Sequence, residues 1–84
     1  MINIMKIFNP ENKTINNIEK QNLELLEEIK DVCSEMAKTD SWFQMESNDD
    51  LIEACIYQKE FLNSRYKYLI NKVKLNNKKL SDNK

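Results

Sequence analysis

The chain has 84 residues, of which 13 are basic and 14 acidic, giving a formal net charge of −1; there is no glycine, no histidine, one proline and two cysteines. A chain this short holds one small domain whose core is thin without a staple or a partner, and the absence of glycine excludes most tight β-turns while suiting long helices. With 32% charged and 40% hydrophobic residues it is no disordered charged tail, and the opening run MINIMKIF lacks the length of a membrane span and the cleavage site of a signal peptide, which points to a cytoplasmic protein without membrane attachment.

In chain order, residues 1–9 read as a flexible amino-terminal segment. Asn9, Pro10 and Glu11 then supply an N-cap, a first-turn proline and a first-turn acid, opening a helix over about 10–45. Thr14, Asn16 and Asn17 are poor helix formers, so its first turns are weak. From Ile15 the apolar residues Ile18, Leu25, Ile29, Val32 and Met36 follow the three-four spacing of a coiled-coil seam, with Leu26 and Cys33 widening the stripe. Asn22 is the polar member of that seam, and two readings stand: a register-fixing buried amide, or a partly exposed side chain near a frayed end. Phe43 falls one heptad after Met36, which favours a continuous helix over the alternative that Thr39-Asp40-Ser41 breaks it and caps a short new one.

Ser47 and Asp50 have the spacing of a capping box, so the corner is expected at Glu46 and Ser47 and a second helix over about 48–76. Its seam is Ile52, Cys55, Leu62, Tyr66, Leu69 and Val73. A short connection between two long amphipathic helices makes them antiparallel neighbours, an all-α helical hairpin over 10–77 that brings Val32 near Leu62 and Leu25 near Leu69, with a disordered basic tail at 78–84. That register sets Cys33 and Cys55 several residues apart, so both are read as free thiols.

Charge is uneven along the chain: residues 1–58 carry 5 basic and 12 acidic groups, a net of −7, and residues 59–84 carry 8 basic and 2 acidic groups, a net of +6. A second stripe on helix two, Tyr57, Phe61 and Tyr68 with Ala54 beside them, lies roughly opposite the seam. It predicts a partner interface with a second copy, making a homodimeric four-helix bundle, or with another protein. The alternative is nucleic-acid contact through Arg65, Lys67, Lys72 and Lys74, where phosphate-neutralising charge is interleaved with aromatic rings. Catalysis is not expected, since a two-helix hairpin offers no concavity for a positioned acid-base or nucleophilic pair. Glu27, Glu28, Asp31 and Glu35 read as a solvated acidic face, and Asn48-Asp49-Asp50 as helix capping in place of a calcium loop. No metal, cofactor or small-molecule substrate is expected.

The run Asp50-Leu51-Ile52-Glu53-Ala54, followed by Arg65-Tyr66-Lys67-Tyr68-Leu69-Ile70-Asn71-Lys72-Val73-Lys74, resembles the YaaL-like proteins, short uncharacterised proteins of low-GC Gram-positive bacteria. In their pattern an acidic-Leu-Ile start opens a helix that closes on Arg-Tyr-x-Tyr-Leu-Leu and a basic Ala-Lys. The likeness extends more loosely over Leu23 to Asn77. The chain departs from the pattern at Val73, where alanine is usual, in a loop without the usual proline, and at Phe61-Leu62-Asn63-Ser64, where small residues are common. The resemblance implies a helical hairpin of no known activity, in bacteria whose related genes lie near recombination-mediator and sporulation-control genes.

Overall fold

The computed structural model describes the backbone of residues 10–82 and the side chains of 16–82; the segment 1–9, with the expected cap at Asn9, and the last two residues of the expected tail lie outside it. Two helices make up the fold, α1 (Pro10–Met45) and α2 (Asp49–Asp82), with no strand among the described residues. They run antiparallel, because the ties between them pair early residues of one with late residues of the other: Asp40 with Lys59, Thr39 with Gln58, Glu28 with Arg65, and Gln21 and Asn22 with Asn76. The hairpin measures 63 × 27 × 13 Å, so it is one helix layer thick.

The buried positions of α2 are Cys55, Leu62, Leu69 and Asn76, separated by strict intervals of seven. On α1 the buried positions are Ile18, Val32 and Thr39, with Leu25 partly buried at the remaining step of the same count. Val32, Leu62 and Leu69 form the central cluster, with Leu25, Ile29 and Met36 packed against it. Each such leucine contributes about 1.5–3 kcal/mol by leaving water. Two helices sharing a single seam enclose little more than one position in each turn, and the flanking positions stay wet.

That limit corrects several expectations. Leu26 is 50% exposed, Cys33 is exposed, Phe43 is 45% exposed and Tyr66 lies at the exposed margin. Thr39, not Phe43, continues the buried line after Val32 and Met36. Nor does it break the helix: its hydroxyl donates to the Glu35 carbonyl at 2.8 Å and accepts from Gln58 Nε2 at 2.7 Å, so α1 runs unbroken through Ser41.

The corner is Glu46-Ser47-Asn48, and the chain reverses there with no residue at positive φ. The cap of α2 is Asn48 instead of Ser47. Its Oδ1 accepts from the amides of Asp50 (3.0 Å) and Leu51 (3.2 Å), satisfying two donors that the first turn leaves free. Glu46 closes the other side: one carboxylate oxygen accepts from Trp42 Nε1 at 2.9 Å and the other from the amides of Ser47 and Asn48, each at 3.2 Å. At the far end α2 continues through Asp82, past the limit near residue 76 that its polar composition suggests. Asn76 is 1% exposed and Leu80 half-buried, so the seam still holds where the sequence reads as tail.

Candidate functional site

The outer side of α2 carries a ridge that α1 does not cover. Ala54, Phe61, Tyr68 and Leu75 recur every seven residues, each one position before a seam residue, a line rotated about 100° from the seam, and Tyr57 fills the intervening step. It therefore flanks the seam more closely than a strictly opposite face would. Tyr57, Phe61 and Tyr68 are 62%, 63% and 62% exposed. The hydroxyl of Tyr57 donates to Glu53 Oε1 at 3.1 Å, one turn earlier, which gives that ring a preferred direction.

The four cations read as a nucleic-acid contact do not converge. By helical phase Arg65 and Lys72 lie on one flank of α2, Lys67 and Lys74 on the other. Arg65 Nη2 is also engaged by Glu28 Oε2 at 3.8 Å, and Lys72 is half-buried.

Near the corner a shallow groove of about 230 Å³ opens between the helices, walled by Phe43, Cys55, Ile56 and Asn63 and spanned by an ion pair of Lys59 Nζ with Asp40 Oδ1 at 2.9 Å. Cys55 is 1% exposed, and burial, with a smaller effect of the Glu46 charge, pushes its thiol pKa up, which favours the protonated thiol. The Glu46 carboxyl is held below its ordinary pKa, chiefly by the Trp42 indole N–H and then by the corner amides that donate to it. Among the described residues no group of three or more histidine, cysteine, aspartate or glutamate side chains is placed to hold a metal ion. None of their helices is long and apolar enough to cross a membrane.

A family model described as a protein of unknown function (DUF2508) matches residues 7–80, which takes in both helices and the corner. The chain belongs to that family. No curated protein and no solved structure matches it. The DUF2508 description assigns no activity, so a site in this family member must be argued from the surfaces the hairpin leaves open.

Two polar layers escaped the reading of the sequence. At one end Gln58 reaches Thr39; at the other Asn76 Nδ2 donates to Gln21 Oε1 (3.2 Å) and Asn22 Oδ1 (3.1 Å), while Asn22 Nδ2 donates to Asn77 Oδ1 at 3.1 Å. Asn22 takes part of each reading: it is half-buried and it bonds across the helices. The signal was available, since Thr39 and Asn76 stand one heptad beyond Val32 and Leu69, but a search for apolar residues passes over both.

Proposed function

We propose that this DUF2508 member is a non-catalytic interaction protein of the bacterial cytoplasm, a small hairpin adaptor that docks another protein chain along Tyr57, Phe61 and Tyr68. The observation that carries the reading is the exposure of three rings on one ridge of a rigid helix, each more than three-fifths open to solvent. Aromatic side chains are the usual anchors of protein interfaces, and a helix holding them in line loses little entropy on docking. Its cytoplasmic, bacterial setting is supported by the YaaL-like resemblance and by two thiols that the register keeps apart.

A photo-crosslinking residue at position 61, with the same residue at Glu27 on α1 as control, tests the ridge in the native cell. Capture of a defined protein from position 61 alone is the expected result. Equal capture from both positions, or none, removes the ridge as a docking strip. The nucleic-acid reading is tested in parallel by titrating a random duplex at low salt. Binding that weakens steeply with salt and vanishes on changing Arg65, Lys67, Lys72 and Lys74 to glutamate would replace the proposal.

A further inference from the structure

The hairpin has two broad faces that differ in character. In an antiparallel pair, residues that follow the seam by about a quarter to a third of a turn, at about 100° each, project on the same side of both helices. The groove confirms the side: Phe43 and Asp40 of α1 share it with Ile56, Lys59 and Asn63 of α2. The same phase places Leu26 and Cys33 of α1 and Tyr66 and Ile70 of α2 on that face. Leu26, Phe43 and Ile56 are 50%, 45% and 44% exposed, Cys33 and Tyr66 are exposed, and Ile70 is half-buried. The other face carries the aromatic ridge of α2, whose residues precede the seam by one position, together with the Arg65–Glu28 ion pair and the Gln58–Thr39 bond.

Folding also converts the charge split of the sequence into a polarity along the long axis. The corner half, residues 31–64, has eight acidic and two basic side chains, a net of −6. The open half, residues 16–30 and 65–82, has five acidic and eight basic side chains, a net of +3.

We propose that the groove-bearing face is covered by a second copy of this chain, laid face to face with its long axis reversed, to make a four-helix bundle. This surface is separate from the aromatic ridge and does not rest on it. Three observations select the occupant. Among the described residues the hairpin is 13 Å thick and closes its core with five buried hydrophobic side chains, and no second layer of the kind domains use covers such a face there. The 63 × 27 Å outline is long and wide enough to hold the ~800 Å² per partner that a stable interface uses. Finally, reversal sets each acidic corner over the partner's basic open end, whereas a parallel pair would stack two corners of −6; charge of this kind decides orientation more than affinity.

The test uses the full chain. Light scattering should find a dimer, and the melting midpoint should rise with protein concentration, as linkage to association requires. Ile56→Glu and Leu26→Glu, one on each helix and both at half-exposed positions, should each raise the dimer dissociation constant at least tenfold with helicity kept at high concentration, while Phe61→Glu leaves it unchanged. A spin label on Met45→Cys in a Cys33→Ser background reads the orientation, because Met45 is 82% exposed and lies near the corner. Reversed copies separate the two labels by about 40 Å, whereas parallel copies hold them within about 25 Å. A monomer with a concentration-independent midpoint overturns the proposal. So does a dimer broken by Phe61→Glu and not by the face variants, or a short label distance.

Discussion

Leu69 and Tyr68 are consecutive in the chain and similar in apolar bulk, yet one is 2% exposed and the other 62%; Leu62 and Phe61 repeat the contrast at 4% and 63%. Hydrophobicity therefore does not decide what is buried in this hairpin. Phase does: one residue is about 100° of rotation, enough to carry a side chain from the seam to the outer ridge. Of each pair, the seam residue holds the two helices together, and the ridge residue has no intramolecular partner to hold.

The largest expected effect breaks that comparison directly. Leu69→Ala removes a nearly inaccessible side chain from the central cluster and should destabilise the hairpin by about 2–5 kcal/mol. Tyr68→Ala should lie within about 0.5 kcal/mol of the parent. Urea unfolding followed by circular dichroism measures both, and equal losses would mean that the ridge is packed in solution. A second, smaller effect concerns the polar layer at the open end. Asn76→Ala strands the oxygens of Gln21 and Asn22 and should cost about 1–3 kcal/mol. If Asn76→Ala and Asn22→Ala in one chain cost no less than the sum of the two alone, the amides do not act as a pair.

The smallest effect sits at the corner and depends on pH. The folded-state pKa of Glu46 is depressed below its ordinary 4.5, so its contribution is fully present above the unfolded value and is lost as pH falls through the folded one. Glu46→Gln should therefore lower the melting midpoint slightly at neutral pH, where the charged carboxylate contributes in full, and flatten its fall in the acid range below pH 4.5, where parent and variant converge. An unchanged acid slope in that variant would assign the pH dependence to other carboxylates.

Much of this architecture was legible in the sequence because it follows from short-range chemistry. The absence of glycine, the proline at the start of α1 and the three-four spacing of Ile18, Leu25, Ile29 and Val32 are properties of single helices and need no partner to be read. The corner was legible only to within a residue or two. Ser47 and Asn48 are both competent caps, and the choice went to Asn48 because Glu46 accepts from the amides of Ser47 and Asn48. The burial of Thr39 and Asn76 was not expected, because polarity usually marks a surface; it follows from hydrogen-bond partners on the opposite helix. The candidate docking surfaces divide in the same way. Tyr57, Phe61 and Tyr68 share one helix, and the repeat alone aligns them, whereas the groove-bearing face combines residues of both helices.

What the chain determined by itself is thus helicity, amphipathic phase and the need to fold back, because backbone propensity and side-chain period act within a few residues. The register followed from the corner and placed Val32 by Leu62 and Leu25 by Leu69 as expected, whereas the two amide layers and the groove-bearing face were decided only by tertiary structure. Each depends on which residue of α1 stands beside which residue of α2, and that choice is made by packing and hydrogen bonding between segments up to 55 residues apart.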